Sequence, residues 1–263
     1  MYGSRMVKRV IQEPLKKYSP FDSIRALLQF TTIFPLGEIA PFEAFSKRTW
    51  IYPFAGYVTG GVSALLVFCL GTLDISHMAM AVFALGSVVF LSGANHLDGL
   101  LDLGDALMAH GSREKRITAL TDRQVGTGAV TLGFFIFLMS IAFLTELAPL
   151  TMACAILCAE VCGKGTMAFL TALGKPFHSG IHAMLHANAR VSMLPFTVLL
   201  CFPLCILPVP IELIAVSILL MVLISYGMRF LAYRLFGGVN GDVVGATHEI
   251  MRTVVLGIFA IGM

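Results

Sequence analysis

Three aspartates at helical spacing form the pattern in this chain that most clearly points to chemistry. Asp98, Asp102 and Asp105 lie at i, i+4 and i+7 in HLDGLLDLGDA, directly after a long apolar run. On an α-helix this spacing places the three carboxylates on one face. Like charges so placed repel one another unless a cation lies between them, and hard oxygen ligands favour Mg²⁺ or Mn²⁺. The alternative is a solvated polar face where a helix leaves an apolar environment.

A basic loop and a fourth aspartate follow the acidic trio. Arg113, Arg116 and Arg123 are suited to pairing with phosphate oxygens, although a loop that flanks a membrane span is often basic for other reasons. Asp122 could return to the acidic trio as a further ligand or as a base. Together these residue types indicate a hydroxyl attacking a phosphoryl group beside a divalent metal.

A second polar segment, GGVNGDVVGATHE, occupies residues 237–249 and contains Gly241, Asp242 and Glu249. Its glycines suit a tight turn that lets a phosphate approach the backbone at a membrane edge. An ordinary glycine-rich loop is the alternative. Because the segment lies at a membrane edge, as the aspartates do, we expect it to fold against residues 98–126 and contribute Asp242 and Glu249 to the same site.

Two further groups of ionisable residues lie in or beside apolar segments. Glu160 and Lys164 are spaced i, i+4, so they could form a local structural pair, but ionisable residues at membrane depth are also functional candidates. His178, His182 and His186 are spaced like zinc ligands, yet no acidic partner is near them in sequence. We favour an interfacial helix whose histidines face water.

Composition identifies the environment in which these residues must be positioned. The chain has 263 residues, of which 57% are hydrophobic and 13% charged, and its mean hydropathy is +0.87. Average soluble domains carry about 25% charged residues. The sequence predicts an all-α, polytopic membrane bundle of about six to seven spanning helices, because apolar runs of about 18 residues or more recur. We expect one domain, residues 1–263; a net charge of +3 gives no reason to expect nucleic-acid binding.

The predicted spans cover residues 50–73, 78–97, 128–147, 150–173, 193–207, 211–231 and 253–263. The apolar segment 24–36 is too short to cross a bilayer, so we expect an interfacial or re-entrant helix there. The acidic trio is expected to continue as helix out of the second span.

The distribution of basic residues predicts the orientation of the chain. Seventeen of the 18 lysines and arginines fall in the N-terminal segment or in loops 98–127, 174–192 and 229–252, and the remaining one is Lys164. This asymmetry matches the positive-inside rule. We therefore expect a multi-pass protein of the cell (inner) membrane with its N-terminus and its polar loops in the cytoplasm.

Several motifs in sequence order resemble the cobalamin synthase family, whose members are also called adenosylcobinamide-GDP ribazoletransferases. HLDGLLDLGDA and TDRQVGTGA are similar to the family's HLDGLADTxDG and DSRxG. GGVNGDVVGATHE is similar to its GG-x-TGD-x-LGA-x-x-E, and YPFAGYVTGG to its FPL-x-G. GKGT stands where the family has SRGT. The chain departs from the family pattern at Ala106, Arg123, Gln124 and Lys164, where the family has Gly, Ser, Arg and Arg.

The resemblance implies a membrane enzyme that joins adenosylcobinamide-GDP to α-ribazole, or to its 5′-phosphate, and releases GMP. It implies Mg²⁺ as the cofactor, held by Asp98, Asp102 and Asp105. Asp122 is our choice for the general base. The other site residues expected on this basis are His96 and Lys164 for catalysis, and Arg113, Arg116, Arg123, Gly241, Asp242 and Glu249 for substrate binding.

Two alternatives to this function differ in what they require of the aspartates. A membrane phosphotransferase of the CDP-alcohol type also uses clustered aspartates, but its D-x-x-D-G-x-x-A-R pattern is not reproduced here. An ion-coupled transporter would use the trio as a cation site, but it would more naturally place its acids at the bilayer midplane. The lipid bilayer is an expected partner, and homo-oligomerisation or association with other cobalamin-assembly enzymes stays open.

Overall fold

The computed structural model describes residues 18–73, 75–122 and 124–263 of the chain. Within these ranges the chain forms twelve α-helices, three short segments of 3-10 helix and one isolated parallel β-bridge. The helices are α1 (Pro20–Thr31), α2 (Phe42–Ser46), α3 (Tyr52–Leu70), α4 (His77–Leu91), α5 (Asn95–Met108), α6 (Arg113–Leu120), α7 (Thr127–Thr145), α8 (Pro149–Leu173), α9 (Ile181–Asn188), α10 (Leu194–Leu199), α11 (Ile211–Phe236) and α12 (Gly241–Gly262).

Five segments of the described chain are long and apolar enough to cross a membrane: α3 with the 3-10 turn before it, α7, α8, α11 and α12. The number rises to seven if each of two sharply bent helix pairs, α4 with α5 and α9 with the segment Val191–Ile206, makes one broken span. The prediction of an all-α, polytopic membrane protein is confirmed.

Helix α8 is the centre of the bundle. In its most apolar stretch 94% of the residues are buried, whereas the corresponding fractions are 39% for α3, 28% for α7 and 33% for α11. Helix α3 packs closely on α8 because it carries glycines at the contact: a Cβ atom on Gly56 would lie 2.6 Å from the Glu160 carbonyl oxygen, and one on Gly60 would lie 2.9 Å from the Glu160 Cβ. Small residues of this kind let helix backbones approach each other in a membrane.

The prediction of one helix across residues 78–97 and into the acidic trio is wrong. Helix α4 ends at Leu91, and α5 begins at Asn95 at an angle of 95° to it. Two consecutive left-handed residues, Gly93 (φ 61°) and Ala94 (φ 58°), make the break. A left-handed pair cannot continue a right-handed helix. The bend turns the acidic helix α5 away from the direction of α4.

The segment 237–249, which was predicted to form a glycine-rich turn, is mostly helical. Helix α12 begins at Gly241, twelve residues before the predicted start of the last span at 253. Asn240 caps it: its side-chain oxygen accepts a hydrogen bond from the Val243 amide at 3.1 Å. The turn itself is confined to residues 237–240, where Gly237 has φ 84° and ends α11. Gly245 has no side chain to separate the helices, and α12 therefore packs directly against His96 of α5.

The remaining boundaries differ less from the sequence prediction. The short N-terminal helix, predicted at 24–36, covers Pro20–Thr31 and starts with a capping box formed by Ser19 and Asp22. The span predicted at 193–207 is not one helix, since α10 lies between two 3-10 turns. Proline at residues 195, 203, 208 and 210 accounts for the interruptions, because proline removes a backbone donor.

Candidate active site

Five carboxylates surround one cavity of about 340 Å³ at an end of the bundle. Helix α5 is regular throughout the acidic trio, so the three side chains share one face as predicted, and all three line this cavity. The five aspartates are Asp98, Asp102, Asp105, Asp122 and Asp242. A neighbouring cavity of about 360 Å³ shares Asp105 and Asp122 with the first. These two carboxylates thus lie between two adjoining spaces.

Asp105 is held at the N-terminus of α7. Its two carboxylate oxygens accept hydrogen bonds from the backbone amides of Gly126, at 2.7 Å, and Ala129, at 2.9 Å. The helices come together at Gly104 and Gly128, where a Cβ on either would lie about 2.5 to 2.6 Å from the other's carbonyl oxygen. The positive end of the α7 dipole therefore stabilises this carboxylate, and each oxygen keeps a second lone pair for another ligand.

Asp242 is brought to the cavity by a close contact between α12 and α5. A Cβ atom on Gly99 would lie 2.6 Å from the Asp242 carbonyl oxygen and 2.9 Å from its Cα. The side-chain amide of Asn240 donates a hydrogen bond to Asp242 Oδ2 at 2.6 Å. This arrangement joins the second polar segment to the acidic trio, as the sequence predicts for Asp242.

We expect Gly99→Ala to lower kcat at least tenfold, because the added methyl group must push α12, and with it the Asp242 carboxylate, away from α5. Displacements of about 1 Å at a site can cost about 100-fold in rate, and overpacking costs about 1–3 kcal/mol of stability. A steady-state kinetic assay of the enzyme measures the loss of kcat, and thermal unfolding in detergent measures the loss of stability. Gly61→Ala is the matched control, since nothing lies within 4 Å of a Cβ there. Equal activity of Gly99→Ala and wild type would contradict the proposed role of this contact.

The remaining aspartates differ in exposure and partners. Asp102 is half-buried in the middle of the trio, whereas Asp98 and Asp122 are exposed. Asp122 Oδ1 accepts a hydrogen bond from the Gln124 amide at 3.2 Å, which closes the turn between α6 and α7. One oxygen of Asp122 therefore stabilises its own loop.

The cavity fits a hard divalent cation in its donor chemistry, because its charged ligands are all carboxylates. Within residues 18–73, 75–122 and 124–263, however, no three of these aspartates place one carboxylate oxygen each within 4.8 Å of one another. A site in which the protein alone surrounds one ion is therefore not preformed. This spacing suits Mg²⁺, which is commonly bound through one or two carboxylates together with substrate phosphates.

Of the basic residues expected to bind phosphate, the two that the structure describes lie outside the cavity wall. Arg116 is half-buried and donates hydrogen bonds to the Ala106 and Leu107 carbonyls at the end of α5, both at 3.1 Å. Arg113 is exposed and lies against Gly237. Arg123 lies outside the described residues. Gly241 is exposed at the start of α12, with open space around it.

His96 and Lys164 form a buried contact behind the cavity wall. The Lys164 Nζ lies 3.1 Å from His96 Nε2, and both side chains are buried. His96 is also stacked on His248 of α12, with ring centroids 4.4 Å apart. The alternative of a Glu160–Lys164 pair is therefore not what the structure shows: Lys164 reaches across to α5, two residues before Asp98.

Glu160 and Glu249 share a different cation, Arg252 of α12. The Arg252 Nε donates to Glu160 Oε1 at 2.7 Å, and its Nη1 donates to Glu249 Oε2. Thr59 donates to the other oxygen of Glu160 at 2.6 Å. With Lys164, this network contains two positive and two negative groups. Glu249 therefore belongs to a buried, charge-balanced network rather than to the wall of the acidic cavity.

One nitrogen or oxygen atom from each of His96, His248 and Glu249 lies within 4.8 Å of the others, which is a spacing that could hold a metal ion. Hydrogen-bond direction argues against that use. Lys164, as an ammonium, and Arg252 can only donate, so the ring nitrogen facing each must accept. The other nitrogen of each neutral ring then carries its proton. His96 Nδ1 and His248 Nε2 therefore offer no lone pair to a metal.

The structure corrects the interpretation of the three histidines after α8. His178 precedes α9, so the three do not share one helix. His182 is buried, its Nε2 bonded to the Gly174 carbonyl, and His186 Nδ1 bonds to the Thr171 carbonyl. His178 lines the acidic cavity. This place of His178 was not predicted, nor were the roles of His248 and Arg252, because the partners of these residues lie on distant parts of the chain.

Comparison with known proteins agrees with the family that the motifs indicate. The family model for cobalamin-5-phosphate synthase matches residues 23–260. Proteins named adenosylcobinamide-GDP ribazoletransferase are similar over most of the chain. The one from Methanococcoides burtonii is 30% identical over 255 residues, covering 92% of each chain. The one from Halorubrum lacusprofundi is 32% identical over 248 residues, covering 89% of this chain and 95% of its own.

No solved structure matches the chain significantly. The family model nevertheless covers every residue that lines the acidic cavity. The chain therefore belongs to the cobalamin-5-phosphate synthase family, whose members are transferases of cobalamin biosynthesis.

Proposed function

We propose that this protein transfers the phosphorylated cobinamide of adenosylcobinamide-GDP to α-ribazole, or to α-ribazole 5′-phosphate, and releases GMP. The observation that carries the proposal is the convergence of five aspartates from three parts of a family-matched chain on one cavity. A ribose hydroxyl attacks phosphorus, the new O–P bond forms, and the bond to GMP breaks. The adjoining cavity that shares Asp105 and Asp122 gives room for a second substrate.

Asp98 and Asp102 are the residues we assign to a divalent cation, with Asp105 fixed beside them by α7. Mg²⁺, when bound, would neutralise charge on the diphosphate as GMP leaves. Asp242 completes the acidic wall from α12. Since the protein does not preform an all-protein ligand shell, the substrate diphosphate supplies the remaining oxygens in this proposal.

His96 and Lys164 are assigned a positioning role rather than direct catalysis. Neither lines the cavity, and both are buried behind it. Because His96 is the second residue of α5, its contacts with Lys164 and His248 fix where that helix begins. The helix start in turn determines where Asp98 and Asp102 point.

We further propose that the acidic cavity opens to the cytoplasm in the cell membrane. The support is the clustering of basic residues in the segments around it, which follows the positive-inside rule. Labelling of single cysteines at residues 110–120 from the outside of intact cells would contradict this orientation.

The experiment that tests the function is a reconstituted assay with purified protein in detergent or lipid. Adenosylcobinamide-GDP is incubated with α-ribazole or its 5′-phosphate, with and without Mg²⁺, and corrinoid product and GMP are quantified. We expect product and GMP in equal amounts and a dependence on Mg²⁺ that Mn²⁺ can replace. Release of GMP without a joined product would contradict the proposal.

A further inference from the structure

His178 lies among the acidic side chains of the cavity, and two neighbouring loops are tied together to hold it there. Pro176 and Val239 form a parallel β-bridge, in which the Val239 amide donates to the Lys175 carbonyl at 2.9 Å. The Lys175 amide donates to the Tyr233 hydroxyl at 2.8 Å. The loop that carries His178 is thereby fixed to the turn that leads to Asp242.

The ring of His178 is oriented by its own loop. Phe177 packs edge-on against it, with centroids 4.6 Å apart. The His178 Nδ1 lies 2.6 Å from the Ser179 carbonyl oxygen, and a carbonyl can only accept, so Nδ1 carries the proton. In the neutral ring Nε2 then has the lone pair. This nitrogen has no hydrogen-bond partner among the described residues.

We propose that His178 is the general base of the transfer reaction, an inference that rests on the proposed function. Its Nε2 accepts the proton of the attacking ribose hydroxyl as the O–P bond forms, and the electron pair of the breaking P–O bond leaves with GMP. The hydrogen bond from Nδ1 to the Ser179 carbonyl sets the tautomer that this step needs and stabilises the imidazolium that results.

The aspartates around His178 are less suited to this step. Asp105 accepts two backbone amides, Asp242 accepts the Asn240 amide, and Asp122 closes a turn. Asp98 and Asp102 are the carboxylates assigned to the cation, whose charge lowers their basicity. His178 therefore replaces Asp122, the sequence-based choice, as the base.

The test compares His178→Ala and His178→Lys with wild type in the reconstituted assay. Loss of a general base lowers kcat by about 100- to 10,000-fold, and we expect this for both variants with little change in KM. Added imidazole should restore part of the kcat of His178→Ala and none of that of His178→Lys. His110→Gln, at an exposed histidine outside the cavity, is the matched control and should behave as wild type.

The outcomes separate this inference from the function on which it rests. If wild type forms no joined product, the proposed function is wrong. If wild type is active and His178→Lys keeps its activity, the side chain serves as a phosphate-binding cation and the inference is wrong. Near-normal turnover of His178→Ala, or the absence of imidazole rescue in a folded variant, also overturns it.

Discussion

Asp102→Asn should reduce kcat by about 100-fold or more, equivalent to about 3 kcal/mol of lost transition-state stabilisation. Asp102 is the half-buried centre of the acidic face, between Asp98 and Asp105 on the same helix. Asparagine keeps the size of the side chain but removes the charge that attracts a divalent cation. The assay of joined corrinoid product over a range of Mg²⁺ concentrations measures the effect.

Thermal unfolding of the same variant separates loss of function from loss of folding. Without divalent ions, Asp102→Asn should be at least as stable as wild type, because one member of a repelling group has been neutralised. The stabilisation that added Mg²⁺ gives to wild type should shrink, since ligand-linked stability follows affinity. Glu212→Gln, at an exposed acid at the start of α11, is the control. An Asp102→Asn protein with normal kcat and unchanged Mg²⁺ response would contradict the metal assignment.

Arg252→Met should destabilise the protein by about 3–5 kcal/mol, the usual cost of removing one partner from a buried ion pair. Arg252 is buried and joins Glu160 to Glu249, so its loss removes the cation that both carboxylates contact. Unfolding in mixed micelles, followed by loss of helical signal, gives the change in free energy. Arg190→Met, at an exposed arginine, should change stability by less than about 0.5 kcal/mol.

A compensating variant sharpens this prediction. Glu249→Gln, added to Arg252→Met, restores the charge balance of the network, since Lys164 and Glu160 remain, and should recover part of the lost stability. If Arg252→Met alone were as stable as wild type, the buried network would not be a source of stability. If this double variant were less stable than Arg252→Met, the unpaired charge of Glu249 would not be the source of the instability.

The parts of the site that are local in sequence could be predicted, and the parts that depend on contacts between distant helices could not. The spacing of Asp98, Asp102 and Asp105 is a property of one helix, so the shared face followed from the helical repeat. Arg252 is 92 residues from Glu160, and no periodicity in either helix indicates that they meet. The expectation that Asp242 joins the trio rested on a shared membrane edge and on the family motif, not on any spacing in the sequence.

The sequence prediction failed at the bend between α4 and α5 for a different reason. A glycine at residue 93 permits a left-handed conformation, but Ala94 adopts one as well, at a cost that only the surrounding structure can offset. Similarly, the glycines of GGVNGDVVGATHE suggested a loop. Gly245 instead lets α12 pack against α5. The sequence alone does not distinguish a glycine that permits a turn from one that permits close helix packing.

The buried network also constrains the order in which the protein is assembled during synthesis. Helix α8 contributes Glu160 and Lys164, yet the arginine that neutralises Glu160 arrives only with α12. Charged residues at the centre of a newly inserted helix cost about 2.5–3.5 kcal/mol each. While the intervening helices are being made, α8 must be held near the translocon or pair Glu160 with Lys164. The final packing of the bundle around α8 therefore occurs after α12 has left the ribosome.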